Sequence, residues 1–450
     1  MKNLLAYPSE NIHIDDEECR TLYSFKPNCF VFAFCLLAPQ AAAQPCSLSN
    51  MFNEPGITVK MDTYNPEHTA LGDIDGDGDP DMVSVNYVNN FITVLSNDGT
   101  GQFNIVQEIW SSPDTQGRAI ELADMNGDEL LDIVVLYPVE RVVQICMNNG
   151  NGTFANPRRQ FFGGIIVDFD LSDYDNDGDL DVITTDAGND LVRIGVNPGN
   201  GQLLAQEIEL PSGRGPYGVA VDDYNNDGHP DIANTNWTDD TVAILINTGT
   251  GQFAPAIYYN VGLEPDGIES GDLNGDGAPD IVIANSANGE NDISVLLNNG
   301  DGTFAQEFQI STDNYPWLIN IEDMDMDGDQ DILVTHKLST RLGVCLNTGN
   351  GTFEPTQFID YNLAQRRTRI FDVDENGSPD IISPNGGMNS ITIHLNQCPP
   401  PCSKADLNGD GVINFFDVSM FLATQPDFNS DGTFNFFDVS EFLVAFSAGC

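Results

Sequence analysis

Apolar and polar positions alternate along this chain in short runs, and the runs recur at a nearly fixed interval. Between Gly218 and Val261 they form four stretches, Gly218 to Asp222, Ile232 to Asn236, Thr241 to Asn247 and Phe253 to Val261, each of strand length and bounded by turn residues. An acidic loop joins the first two. Its pattern, D-x-D/N-x-D/N-x-x-x-D, begins at Asp73, Asp124, Asp173, Asp223, Asp272, Asp323 and Asp372, at spacings of 51, 49, 50, 49, 51 and 49 residues. A second pattern, N-x-G-x-G-x-F/L, begins at Asn97, Asn148, Asn197, Asn247, Asn298 and Asn347, with a truncated copy at Asn396. Roughly fifty residues therefore make one unit, and a unit of four short strands is a propeller blade. Seven units predict an all-β seven-bladed β-propeller.

The seventh unit stops at Asn396 after its third strand, while Phe52 to Lys60 precedes the first unit with the pattern of a fourth. The N-terminal segment is expected to complete the last blade, which pairs the chain ends and leaves no open sheet edge at the seam. A stacked solenoid is the rival arrangement, but it gives no reason for a strand missing at one end and spare at the other.

In Asp73-Ile74-Asp75-Gly76-Asp77-Gly78-Asp79-Pro80-Asp81, side-chain oxygens at positions 1, 3, 5 and 9 and the carbonyl at position 7 can converge on one hard cation, with Gly at position 6 permitting the turn. Close carboxylates repeated seven times would repel one another without a counter-ion, so the loops predict Ca2+. The side-chain ligands are Asp73, Asp75, Asp77 and Asp81 in the first loop and Asp124, Asn126, Asp128 and Asp132 in the second. They are Asp173, Asp175, Asp177 and Asp181 in the third, Asp223, Asn225, Asp227 and Asp231 in the fourth, and Asp272, Asn274, Asp276 and Asp280 in the fifth. The sixth supplies Asp323, Asp325, Asp327 and Asp331, and the seventh Asp372, Asp374, Asn376 and Asp380. The first, third and sixth are expected to bind most tightly. The second is expected to be weakest, because Glu129 replaces the turn glycine.

These paired signatures resemble the FG-GAP or VCBS repeats of integrin α-chain heads and secreted bacterial proteins, over about residues 50 to 397. The resemblance implies calcium between the first two strands of each blade and a platform for recognition or adhesion. Related propellers occur in lectins and in some polysaccharide lyases, so the fold does not fix the function.

After Pro399-Pro400-Pro401 the periodicity changes. Asp406 to Asp417 fits a 12-residue EF-hand loop with Asp406, Asn408, Asp410, Asn414 and Asp417 as ligands, and Asp427 to Asp438 repeats it with Asp427, Asn429, Asp431, Asn435 and Asp438. Apolar segments follow, Val418 to Leu422 and Val439 to Phe446, consistent with short helices. Phe415-Phe416 and Phe436-Phe437 are core or contact residues. The duplicated module resembles a dockerin, which implies a cohesin-like or cell-surface receptor for the tail.

At the N-terminus, the apolar run from Phe30 to Ala38 follows Lys26 and precedes Ala41-Ala42-Ala43, the pattern of an export signal cut before Gln44. The run of about nine residues is too short for the roughly 20 that span a bilayer, so no membrane span is expected. Asp15-Asp16-Glu17-Glu18 is wrong for a basic leader, which leaves a misplaced start codon or a real extension. The division is therefore a signal segment over 1–43, a propeller over 44–397, a linker over 398–401 and a dockerin-like module over 402–450, in a protein secreted or held at the cell surface.

Export permits disulfides. Cys402 and Cys450 bracket the tail and Cys46 and Cys398 flank the ring closure, whereas Cys146 and Cys345 sit in blades that are not neighbours and read as free buried thiols. Acids outnumber bases 69 to 16 and the formal charge is −53, which argues against a nucleic-acid partner.

No catalytic signature stands out, and the leading reading is a calcium-binding recognition or adhesion propeller for carbohydrate or protein. A polysaccharide lyase or glycosidase on the same scaffold, and a purely structural matrix protein, are the alternatives. Six positions before each acidic loop the residues are Glu67, Arg118, Val167, Tyr217, Asp266, Trp317 and Arg366, with Trp237, His336, Lys337, Arg341 and Arg367 nearby. Of these, Arg118, Tyr217, Trp237, Trp317, Arg366 and Arg367 are the candidate ligand contacts, with aromatics to stack on sugar rings and Arg to pair with carboxylate or sulfate.

Overall fold

The repeats fold as seven antiparallel four-stranded sheets. A computed structural model describes residues 48–398 apart from 53–55, 62–64, 88–90, 112–115, 205–206 and 361–365. The chain divides into compact units Met1–Gln44 and Pro45–Cys450, and only the second contains described residues. The expected export signal, Cys46, the proline run and the expected dockerin-like module over 402–450 lie outside them.

In the first blade, β2 (Pro66–Gly72), β3 (Asp81–Asn86), β4 (Phe91–Asn97) and β5 (Phe103–Trp110) pair in sequence order. The last blade is completed from the other end of the chain. Its strands Arg369–Phe371, Asp380–Asn385 and Ser390–His394 take β1 (Ile57–Lys60) as their fourth, with Ile57 opposite Ile393 and Lys60 opposite Ser390. Beyond β1, Phe52 bridges Asn396, and the Gln397 N–H donates to the carbonyl of Met51, the last residue of helix α1 (Leu48–Met51). The expected closure is present, and a solenoid is excluded by it.

The second strand of every blade is buried along all six residues, because it lies inside a sheet that is covered on both faces by neighbouring blades. The core therefore lies between blades. Val83 and Val85 of the first pack with Ile133, Val135 and Tyr137 of the second. Each of these strands begins with the ninth residue of an acidic loop, so a carboxylate stands at the edge of the most buried element in the blade.

Candidate functional site

Each acidic loop is set by its first residue. The position-1 carboxylate accepts the backbone N–H of position 6 at 2.7–3.1 Å in all seven loops. The position-5 oxygen accepts the N–H of position 7 in all seven as well. At position 9, one oxygen accepts the N–H of the repeat asparagine at 2.7–2.9 Å.

Positions 1, 3 and 9 bring their carboxylate oxygens within 4.8 Å of one another in the first, third, sixth and seventh loops. These are the loops with Asp at position 3. The second, fourth and fifth carry Asn126, Asn225 and Asn274 there and lack the third carboxylate. The seventh joins the three loops expected to be strongest, and position 5 stays outside the compact group, engaged with the turn.

Glu129 takes the left-handed turn that glycine takes at this position in the other six loops. It adopts φ 67°, within the left-handed region that Gly78 occupies at 100°. Sequence reasoning missed position 4, which is left-handed in every loop, including Asn176, Asn226, Met326 and Glu375 at φ 54–65°.

The donor set fits a hard cation. Asp181 Oδ2, Asp231 Oδ2, Asp325 Oδ1 and Asp374 Oδ1 are buried and have no hydrogen-bond partner. A carboxylate oxygen removed from water without a partner is costly, and a cation satisfies it directly. Burial, opposed by hydrogen bonds and reinforced by neighbouring carboxylates, pushes Asp331 up to about 8 and Asp181, Asp231 and Asp380 up to about 7. A metal ion in the loop would reverse those shifts.

The opposite ends of the inner strands build a pocket of about 380 Å3, lined by Glu67, Tyr87, Arg118, Tyr217, Trp317, Lys337 and Arg366 among others. Inner strands run roughly 3.3 Å per residue, so this mouth lies a full strand length from the acidic loops. The pairing register shifts near Glu67, Tyr217, Asp266 and Trp317, each of which directly follows a proline. The bulge breaks the ladder where a side chain must turn toward the mouth. Neighbouring inner strands crowd together here. A Cβ on Gly218 would lie 2.4 Å from the Asp266 carbonyl, and one on Gly267 would lie 2.5 Å from that of Trp317.

Asp266 pairs with Lys337 at 3.0 Å and with Arg118 at 3.8 Å, and Glu67 with Arg366 at 3.4 Å. Arg118 also donates to the Tyr217 hydroxyl at 3.2 Å, and Trp237 packs on Tyr217 with ring centroids 5.1 Å apart. The remaining candidates separate from the mouth. Val167 is buried, and Arg367 turns into the channel, where it pairs with Asp168 at 3.1 Å. His336 is buried against Thr312 and the Arg341 carbonyl, and Arg341 pairs with Asp313 at 2.7 Å.

Trp317 offers no free face for sugar stacking, which corrects the expected role. Its residue surface is only 6% exposed, and the Lys337 ammonium sits 4.9 Å from its ring centroid. Arg118 covers Tyr217 in the same way at 4.7 Å.

Below the mouth, a channel cavity of about 410 Å3 changes the sign of the charge, with Glu121, Asp168, Asp170, Asp222 and Glu269 facing only Arg367 and Arg369. Burial pushes Glu269 up to about 8 and Asp170 up to about 7.

The FG-GAP-like repeat pattern matches residues 73–135, 173–234, 223–283, 272–334 and 323–383, which together make up more than half of the chain. The chain belongs to the FG-GAP-like repeat family. No curated protein matches this FG-GAP-like chain. Among solved structures, BBS1N in complex with ARL6DN is similar at 10% identity and a TM-score of 0.56, covering 77% of this chain and 97% of that one. Virginiamycin B lyase from Staphylococcus aureus is similar at 13% identity and a TM-score of 0.52, covering 75% and 98%. A protein from Lactobacillus plantarum is similar at 18% identity and 0.52, covering 66% and 85%. These likenesses share the propeller fold with the FG-GAP-like chain and do not extend to its activity.

Proposed function

We propose that the chain is an exported, calcium-loaded recognition propeller, presenting its channel mouth to a carbohydrate or protein ligand and tethered through its dockerin-like tail to a cohesin-like or cell-surface receptor. One contrast carries the reading. The loop ends of the inner strands repeat one arrangement seven times, whereas the seven equivalent positions at the mouth ends carry six different residue types, from Glu67 and Arg118 to Trp317 and Arg366. A repeated arrangement serves the scaffold, and an unrepeated one confers specificity.

Calcium is the ion that the oxygen donor set suits. In the loops that gather three carboxylates it would be held by Asp73, Asp75 and Asp81, by Asp173, Asp175 and Asp181, by Asp323, Asp325 and Asp331, and by Asp372, Asp374 and Asp380. It supplies positive charge that neutralises carboxylates at the head of each second strand. The Cys46 to Cys398 pair closes the seam covalently in this reading.

A screen of the calcium-saturated protein against plant and algal polysaccharides tests the proposal. Saturable binding without product release is expected, and release of shortened or unsaturated sugars would replace recognition by catalysis.

A further inference from the structure

The layering of charge at the mouth narrows the ligand class, an inference that rests on the recognition reading. The side chains of Arg118, Lys337 and Arg366 remain 21%, 30% and 34% exposed, whereas their counter-ions Asp266 and Glu67 keep 2% and 7%. Carboxylates lie beneath and cationic heads above. An approaching solute therefore meets positive charge on a chain whose formal charge is −53.

Three cations over two carboxylates leave one positive charge uncompensated. The pairing is also loose. Arg118 stands 3.8 Å from Asp266 and Arg366 stands 3.4 Å from Glu67, and both guanidinium side chains stay partly exposed. Guanidinium groups held this way retain donors for an oxyanion.

The aromatics hold the cations in place. Lys337 lies over Trp317 and Tyr315 at 4.9 and 5.3 Å, Arg118 over Tyr217 at 4.7 Å, and Arg366 over Tyr87 at 5.7 Å. Below them the channel is lined by acids, Glu121, Asp170, Asp222 and Glu269 among them, and its cations Arg367 and Arg369 are already paired with Asp168 and Glu121, so it offers an anion no free partner among the described lining residues. An anionic group stops at the mouth.

The pocket of about 380 Å3 has the size of a small-ligand site. A protein partner of ordinary affinity buries an apolar centre, but the large apolar side chains exposed on this lining are Tyr87 and Val139 alone among the described residues. We infer that the mouth is a receptor for a carboxylate or sulfate group carried on a glycan, held by Arg118, Lys337 and Arg366 through charge and hydrogen bonds, not by ring stacking.

Calorimetric titration of the full, calcium-saturated chain tests this, with a hyaluronan hexasaccharide, its carboxyl-reduced form, dextran sulfate, dextran and poly-glutamate as probes. The hexasaccharide or dextran sulfate is expected to bind, whichever does so identifying the anion, and its uncharged counterpart at least tenfold more weakly. Arg366→Gln should weaken binding about tenfold and Arg366→Lys should largely restore it. The comparison of charged and uncharged probes on the unaltered protein holds even if a variant fails to fold. Equal binding of the hexasaccharide and its reduced form would overturn the charge assignment while leaving recognition standing. Binding of poly-glutamate alone, or of neither anionic glycan, would overturn the glycan assignment. Release of shortened sugars would remove the recognition reading itself.

Discussion

The side-chain amide of Asn97 donates to the carbonyl of Val373 at 3.0 Å, joining residues 276 positions apart in the chain. Val373 is the second residue of the seventh acidic loop, between two of its candidate metal ligands, Asp372 and Asp374. The same amide donates to Pro80 in its own loop at 3.0 Å, and the Asn97 backbone N–H donates to Asp81. The arrangement repeats around the ring, from Asn148 to Ile74, Asn197 to Met125, Asn247 to Tyr174, Asn298 to Tyr224, Asn347 to Leu273 and Asn396 to Met324. Each loop is thus fastened to the blade that follows it.

Asn97→Ala removes the two buried hydrogen bonds its amide donates, leaving two carbonyls unsatisfied at the closing seam, and the two its oxygen accepts from the Asp98 and Gly101 N–H groups. A loss of about 2–4 kcal/mol is expected, read by denaturant unfolding in saturating calcium. An exposed control, Asn104→Ala, should change stability by less than about 0.5 kcal/mol. Equal behaviour of the two variants would show that the clip does not fasten the blades.

The seven repeats, the closing strand and the position of the acidic loops were legible in the sequence because each is a periodic pattern of a few residue types. The partner of the repeat asparagine was not legible, since Asn97 and Val373 meet only when the ring closes. Nor was the mouth fully readable. Counting six residues back from each loop located Arg118, Tyr217, Trp317 and Arg366 together, yet it could not show that cations would cover the ring faces. The proline ahead of Glu67, Tyr217, Asp266 and Trp317 was the available signal for a broken ladder there. That position 6 is left-handed was legible from its glycines, and Glu129 holds the same backbone because its loop imposes it.

That backbone has a measurable cost. Glu375 is exposed at φ 54° and Glu129 is exposed at φ 67°. Glu375→Asn and Glu129→Asn should each stabilise the protein by about 0.5–1 kcal/mol, because asparagine tolerates this region better. Chemical denaturation provides the measurement, and a loss of stability in both would contradict the account of the loops.

Cys146 and Cys345 are free and buried, and burial pushes their thiols up to about 12 and about 11. Neither should react with iodoacetamide at pH 8 until the chain unfolds. The proposed covalent seam is tested by peptide mapping under non-reducing conditions, which should recover Cys398 linked to Cys46. Recovery with another partner would remove the covalent seam.

The channel acids set a pH dependence. Glu269 and Asp170 have folded values near 8 and 7, raised first by burial. A raised carboxyl contributes stability that is fully present below its unfolded value and lost as pH rises through the folded one. In saturating calcium the melting temperature should therefore fall between pH 6 and pH 9. Glu269→Gln should melt higher than the parent at pH 9 by more than it does at pH 6, and a constant difference across that range would contradict the assignment.

The central claim is that cations bound in the acidic loops hold the propeller folded. Differential scanning calorimetry of the full chain in millimolar calcium and in excess EGTA measures it. Binding to the folded chain alone adds about 2.7 kcal/mol per site at a hundredfold excess over the dissociation constant, so several sites predict a melting temperature lowered by well over ten degrees in chelator and restored on adding calcium. The same melting temperature in both solutions would contradict it.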